Sequence, residues 1–436
     1  VVNVALPALA RDLQATPREL PWTINAYLLP LGALILLGGG LGDHFGRRRY
    51  FLVGLSLFTV ASMLCAIAPT FAWLIIGRGV QGIGAALLMP NSLAILGSHF
   101  QGESRGRAIG LWAAAGAIAG AVGPVVGGWL IDTVTWRVIF LINLPIALAA
   151  GLIASKYVTE NPRESAKSLD WLGAILATAA LGALTWTLTE ATGGAMPVPL
   201  LLCSSILGAM LLMAFVWREG QLGDAALMPL TLFASSPFVG LTLLTFLVYG
   251  SLGGLLVLMP YFLIRIAHWS AAAAGAALLP VPVLIGFGSR IMGRVAARYG
   301  GRLPLTLGAV LVGIGLALYA RIDANSLNYW ADVFPPTCLV ALGMTMTAAP
   351  LTTSVMESVD TGHVGIASGF NSAVARIGGL VATALLEYVF TRQASTVEFG
   401  AGVKLAAGFG CASALLAALC AYVLIPDARK KTPTRL

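Results

Sequence analysis

Few residues in this chain can do chemistry, and their surroundings narrow what that chemistry is. Arg78 and Gln81 lie three positions apart within an otherwise apolar run that begins at Phe71, a spacing that puts both on one helical face. A guanidinium at membrane depth costs at least about 2.5–3.5 kcal/mol on insertion scales, so Arg78 must face a cavity or a partner instead of lipid. There its charge would favour the ionised form of a nearby carboxyl. The plainer alternative is an arginine that only bonds backbone carbonyls. Arg376 sits mid-run beside Gly378 and Gly379, and Glu387 follows further along. Glu387 reads either as a reserve proton or cation site or as a solvated charge at a helix end.

A second group gathers at a hairpin. Gly39 and Gly42 allow two helices to approach closely, Gly46 permits a tight turn, and Asp43 is free to meet Arg47, Arg48 or a neighbouring helix N-terminus. The alternative is a basic loop that only sets topology. A third group repeats at four-residue spacing: Gly116, Gly120 and Pro124, and beside them Gly123 and Gly127, followed by Gly128. This spacing gives glycine-lined faces for close helix contact and a pliable point at the proline. A cargo cavity needs apolar and aromatic walls with a few polar points. The candidates are Asn25, Tyr27, Met89, Asn91, Trp112, Phe246, Tyr249, Asn371 and Arg376, each set against a packing or lipid-facing role.

Other chemistries lack their residues. There is no P-loop, so ATP is not the expected energy source. The four histidines are not paired at metal spacing, and the five cysteines fall in apolar stretches, where they read as small buried hydrophobes. The chain is therefore expected to be no enzyme and to hold no cofactor or metal.

The elements that must position these groups follow from composition. Of 436 residues, 58% are hydrophobic and 10% charged, which excludes an ordinary soluble domain and a disordered chain. What remains is an all-α polytopic membrane protein, with room for roughly 12–15 crossings. The net charge of +8 is assigned to basic cytoplasmic loops, not to nucleic-acid binding. The first apolar stretch reaches Arg11 and Asp12 at about half a spanning length, so a truncated first helix is expected. Thirteen further apolar segments, from 20–42 to 402–425, make fourteen helices. Most of the 26 Lys and Arg then fall on the side of Arg47–Arg49, which puts both termini in the cytoplasm.

An internal repeat sets the plan. Residues 39–48 are echoed at 293–302, Gly106 and Gly110 at Gly365 and Gly369, and Pro90 at Pro350, all at nearly one offset. The offset is too long for six helices and leaves room for two more. The expected organisation is a six-helix bundle over 1–155 with its first helix incomplete, a linker with two inserted helices over 156–236, a second six-helix bundle over 237–425, and a cytoplasmic tail over 426–436. Paired halves around a midplane site are the plan of secondary transporters. The inserted helices carry few polar groups and are expected at the periphery against lipid.

These residues resemble the major facilitator superfamily, and specifically its fourteen-helix branch of drug:proton antiporters, over essentially the whole chain. Gly39-x-Leu41-Gly42-Asp43-x-x-Gly46-Arg47-Arg48 is similar to the superfamily's loop signature, with His44 where members usually carry a basic residue. Arg78-Gly79-Val80-Gln81-Gly82 is similar to the fourth-helix motif, and Gly120-x-x-Gly123-Pro124-x-x-Gly127-Gly128 to the fifth-helix motif of exporters. Asn3-Val4-Ala5-Leu6-Pro7, Trp22 with Tyr27, and Trp136-Arg137 with Asn143 and Pro145 resemble that branch.

The resemblance implies a proton-driven exporter of lipophilic or cationic small molecules, working by alternating access in a bacterial cytoplasmic membrane as a monomer. It implies a hairpin latch that joins the halves in the outward-open state and releases in the inward-open one. It also implies a proton-carrying Asp in the first helix, ahead of Val1, as the partner of Arg78. Rival readings are a dedicated metabolite, siderophore or lipid exporter, an importer, and a transport-inactive scaffold, sensor or fragment.

Overall fold

The computed structural model describes residues 2–16, 18–100, 102–160, 170–193, 197–223, 226–322, 327–359, 364–386, 389 and 396–426, and these are helical almost throughout. The first half runs α1 (Val2–Asp12), α2 (Trp22–Phe45), α3 (Arg47–Ala66), α4 (Phe71–His99), α5 (Gly102–Thr133), α6 (Val138–Leu141) and α7 (Asn143–Tyr157). Two further helices follow, α8 (Trp171–Gly193) and α9 (Val198–Leu222). The second half runs α10 (Ser236–Arg265), α11 (Ala271–Ala277), α12 (Pro280–Tyr299), α13 (Arg302–Tyr319), α14 (Phe334–Glu357), α15 (Val364–Leu385) and α16 (Thr396–Leu424).

Starts of several helices are written in the sequence. Thr70 Oγ1 accepts the Trp73 amide at 3.3 Å ahead of α4, and Ser270 Oγ accepts the Ala273 amide at 3.1 Å ahead of α11. Gly46 ends α2 at φ +114°, and Gly300 ends α12 at φ +82°. These two glycines are the counterparts in the repeat, so each half breaks its basic hairpin with a residue that tolerates a left-handed backbone. Arg47, Arg48 and Arg49, expected in a loop, form the first turn of α3, because the turn needs only the single residue Gly46. The spans expected over 138–155 and 271–297 are present as Val138–Tyr157 and Ala271–Ala296, each with a local break in its helical hydrogen bonding, near Ile142 between α6 and α7 and after Ala277 between α11 and α12.

Among the described residues ten helices are long and apolar enough to cross a membrane, or eleven with the pair forming α2, which bends by 51° between Ile35 and Leu37. The helix α1 falls short of that length at 11 residues. The apolar stretch of α5 over Ile118–Thr133 is likewise short.

Each half packs around its own apolar core. In the first, α2 and α3 flank α4; in the second, α10, α13 and α14 surround a large cluster that Leu6, Leu20 and Ile24 join from the first half. The inserted helices pair with each other, and α8 also touches α2 and α15. Only 6% of the α9 span is buried, and Leu202, Met210, Met213 and Trp217 stand exposed on it, as a lipid-facing helix requires. Cys203 on the same helix is exposed, contrary to the expectation of a buried thiol; Cys65 is buried and all five cysteines are free.

Candidate transport cavity

A cavity of about 560 Å³ lies between the halves, bounded by α1, α2, α3, α4, α6 and α7 on one side and by α10 and α15 on the other. Its polar points are Asn3, Arg78, Gln81, Asn143, Arg376 and Thr383, and its aromatic ones are Tyr27, Phe58, Phe140 and Tyr249. No carboxylate lines it among the described residues.

Arg78 is held by three different contacts. Its Nε donates to the Thr23 carbonyl at 2.9 Å, its Nη1 to Gln81 Oε1 at 2.5 Å, and its guanidinium stacks over the Tyr27 ring at 4.3 Å. Gln81 passes the network on, donating to Ser62 Oγ at 2.7 Å, which also receives Asn143 Nδ2 at 3.2 Å. The fork of one guanidinium thus ties α2 to α4, and the hydroxyl of Ser62 extends the tie to α3 and α7. Arg376 reaches from α15 to the Met89 sulfur at 3.8 Å across the interface. Two cations therefore face one apolar space, and among the described residues each is stabilised by carbonyl, amide, sulfur or ring electrons instead of by an anion.

The halves interlock at one end, here called the Asp12 end. Asp132 on α5 accepts the Ala271 amide at 3.1 Å and the Ala272 amide at 2.9 Å at the start of α11. The contact is possible because the facing residues are small. A β-carbon on Gly128 would stand 2.5 Å from the Ala272 nitrogen, and one on Gly275 would meet the Pro124 backbone. Nearer the middle, on the cavity wall, Asn3 Nδ2 adds a bond across the interface to the Leu256 carbonyl at 2.9 Å. At the end itself, Asp12 accepts Trp136 Nε1 at 2.9 Å and pairs with Arg137, and these donors hold its carboxyl below the ordinary range. That pair braces the first half internally.

The opposite, Arg47 end is held differently. Asp43 pairs with Arg47 at 2.7 Å within its own hairpin. Arg48 donates to the Ser155 carbonyl at 2.5 Å, and the Glu160 carboxylate accepts the Arg48 and Arg49 amides at 3.1 Å each. These partners belong to the first half or, with Glu160, to the segment that leaves it after α7. Among the described residues no hydrogen bond or ion pair joins the halves at this end.

The expected residues divide by position. Arg78, Gln81, Tyr27, Tyr249 and Arg376 line the cavity. Asn25 is fully buried behind the wall, and neither amide atom has a partner. Asn91 donates to the Gly38 and Leu87 carbonyls, clamping α4 to α2, with Gly42 opposite its amide. Met89 touches Arg376 without lining the cavity, and Trp112 stands exposed on α5. Asn371 receives the Thr245 hydroxyl at 2.6 Å, joining α15 to α10. Phe246 lines a separate apolar cavity of about 650 Å³ inside the second half.

Of the glycine motifs, a β-carbon on Gly39 would stand 3.5 Å from Pro90 and one on Gly120 3.7 Å from Pro282, Gly127 is buried, Gly123 half-buried, and a β-carbon on Gly116 would meet open space. Glu387 lies outside the described residues. Asp132 was not singled out in the sequence; an acid near a helix end looks solvated until its partner across the interface is known.

A cavity between two helical halves, closed at one end by backbone-to-backbone packing and carrying charge in an apolar bundle, defines an alternating-access secondary transporter. The chain belongs to the Major Facilitator Superfamily, whose family model matches residues 1–383. It is 32% identical to the multidrug resistance protein Stp of Mycobacterium tuberculosis, over 88% of this chain and 71% of that protein. It is 33% identical to the puromycin resistance protein pur8 of Streptomyces alboniger, over 98% and 87%. The methylenomycin A resistance protein of Bacillus subtilis is 32% identical, over 92% and 86%. Among solved structures, a peptide transporter POT bound to alafosfalin shares the fold with a TM-score of 0.68 at 14% identity, covering 96% of this chain and 89% of that one.

Proposed function

We propose that this chain is a proton-driven exporter of lipophilic small molecules in a bacterial cytoplasmic membrane, a fourteen-helix monomer with both termini and the Arg47 end in the cytoplasm. The observation that carries the reading is the 560 Å³ cavity between the halves, with two guanidiniums and aromatic walls. Relatives named as resistance proteins for puromycin and methylenomycin A support cargo of antibiotic size. Such molecules bury apolar surface against Tyr27, Phe58, Phe140 and Tyr249 while a polar group meets Arg78 or Arg376. With two cations and no lining carboxylate among the described residues, the wall favours neutral and anionic cargo over cations.

Coupling rests on Arg78. A carboxyl brought beside its guanidinium is stabilised in the ionised form, so a proton leaves when that contact forms and returns when cargo takes the contact over. With the Arg47 end cytoplasmic, the closed Asp12 end makes this an inward-facing arrangement, open to cargo from the cell interior. Glu387, Gln81 and the hairpin residues Gly39 to Arg48 keep their assigned roles of proton relay and latch within this reading.

The test uses everted membrane vesicles with an inside-acid gradient and a gradient-reporting dye. Neutral, anionic and cationic lipophilic drugs are added in turn. Cargo-dependent dissipation by the full chain and its absence in Arg78→Ala is the expected result. Dissipation that survives Arg78→Ala for every responding drug would sink the assignment to Arg78, and no response to any drug would sink multidrug export.

A further inference from the structure

The inserted helices were expected to carry little polarity, yet their foot holds two buried carboxyls. Asp170 immediately precedes α8, and Glu219 lies near the end of α9; they are 4% and 0% exposed. Asp170 Oδ1 accepts Arg218 Nε at 2.7 Å and the Gly173 amide at 2.9 Å. Glu219 accepts the Met228 amide through Oε2 at 2.6 Å. The other two oxygens, Asp170 Oδ2 and Glu219 Oε1, are buried without a donor. They converge on one point, because a β-carbon on Gly173 would collide with the first and stand 2.9 Å from the second. The two carboxyls are within hydrogen-bonding reach of each other.

An orphaned buried oxygen costs about 1–3 kcal/mol, and more when charged. Here two such oxygens cancel each other's need if one hydrogen lies between them. Charge gives the same count. Two carboxylates against Arg218 leave one surplus negative charge in a buried site, and one proton removes it. We propose that Asp170 and Glu219 share a single proton between Oδ2 and Oε1, forming a protonation site separate from the central cavity.

Among the described residues the walls packed on this site are mainly apolar. From α2 and α3, Leu37, Leu41, Phe45 and Tyr50 gather with Ala174 and Leu227, and His44 packs edge-on against Phe45 at 4.4 Å. The ionisable group described on α15, the third helix against α8, is Arg376, which turns to Met89 and the cavity. Arg163, Glu164, Lys167 and Asp224 lie outside the described residues. The site also has a mechanical position. Asp170 closes the linker that leaves the first half, and through Met228 Glu219 holds the linker that enters the second. A proton bound here clasps both linkers to the foot of the α8–α9 pair, and its loss leaves two like charges to push them apart.

The test uses the purified full chain in lipid nanodiscs and needs no transported cargo. Infrared spectra should contain a protonated-carboxyl stretch that is lost in Glu219→Gln and in Asp170→Asn. Thermal unfolding gives an independent reading. In Glu219→Gln the amide supplies the missing donor at every pH, so its Tm should exceed that of wild type by a margin that widens as pH rises. Persistence of the same carboxyl band in both variants, or parallel pH profiles for wild type and Glu219→Gln, would overturn the shared proton. A wild-type Tm that rises with added sodium or potassium and falls back in Glu219→Gln would overturn it too, in favour of a metal cation.

Discussion

At the Asp12 end, Asp132 reaches across the interface to two amides of α11; at the Arg47 end, Asp43 reaches only to Arg47 in its own hairpin. Both are carboxylates near helix ends, and both sit beside glycines that clear a path for backbone. The difference lies in which half supplies the partner. Gly128 and Gly275 let α5 and α11 meet at backbone distance, so Asp132 finds its donors in the other half. Gly42 instead faces Asn91 of the same half, Arg48 donates to the Ser155 carbonyl, and Glu160 accepts the Arg48 and Arg49 backbone amides. One end is therefore a formed joint and the other a set of charges available for one. An alternating transporter needs this asymmetry in each state and its reverse in the other.

The strongest way to break the comparison is to deny the formed joint its space. Gly128→Leu would force a branched side chain into the Ala271–Ala272 backbone. Overpacking of this kind costs about 1–3 kcal/mol, roughly five- to 150-fold in the population of the closed Asp12 end. Transport should fall by a similar factor, and a cysteine placed in the cavity should become labelled from the Asp12 side. Full transport with unchanged labelling would mean that this joint does not form during the cycle. Second in size is Arg78→Lys. It keeps the charge but cannot serve the Thr23 carbonyl, Gln81 and the Tyr27 face together, and a hydrogen bond from a charged group is worth about 1.5–3 kcal/mol. Cargo-driven gradient dissipation should drop about ten-fold or more, while the Gly128→Leu labelling change should be absent.

How much of this was legible beforehand depends on whether the controlling contact is local. Gly46 was, because a glycine between a polar helix end and three arginines has few other uses, and its φ of +114° bears that reading out. Tyr27, Tyr249, Arg78 and Arg376 were, because charge and aromatic surface in apolar runs must face something other than lipid. The rotation of α4 was not. Asn91 looked like a cavity wall and instead clamps Gly38, because a helix's two inward faces differ by a fraction of a turn that composition does not encode. Asp132, and the pairing of Asp170 with Glu219, were hidden for a different reason. Each looks like a solvated helix-end acid until helices distant in sequence are folded against it. Their partners are backbone amides and another acid, which carry no complementary charge for a sequence to display.

Asp132→Asn sharpens the comparison at smaller amplitude. The amide oxygen can still accept one bond from α11, but the charge is gone, a loss of about 1 kcal/mol or roughly five-fold in the closed population. The same labelling assay should report it as a partial version of Gly128→Leu, and an effect equal to Gly128→Leu would show that charge, not backbone approach, makes the joint. Asp12 should not contribute to any such change in mild acid. Its carboxyl is held low by Trp136 and Arg137, so its share of stability is full above the ordinary carboxylate range and fades only as pH falls through the depressed value. A loosening of the first half between neutral and mildly acidic pH that Asp12→Asn abolishes would contradict this sign.

The smallest effect is expected at Asp43, and its form decides whether the Arg47 end is a latch at all. Asp43 is nearly half exposed in its pair with Arg47, and an i,i+4 pair of this kind contributes about 0.3–0.5 kcal/mol before salt screening reduces it. Asp43→Asn should therefore leave thermal stability unchanged to within measurement. If Asp43 changes partners when the halves close over the Arg47 end, however, the variant weakens only that other state. The balance then moves toward the arrangement described here, and a cavity cysteine becomes easier to label from the Arg47 side at unchanged Tm. Gly128→Leu and Asp43→Asn would then push one equilibrium in opposite directions, and the double variant would return toward wild-type labelling. Labelling unchanged in Asp43→Asn, with or without Gly128→Leu, would reduce the hairpin to a basic anchor and leave the Asp12 end as the single charged joint between the halves among the described residues.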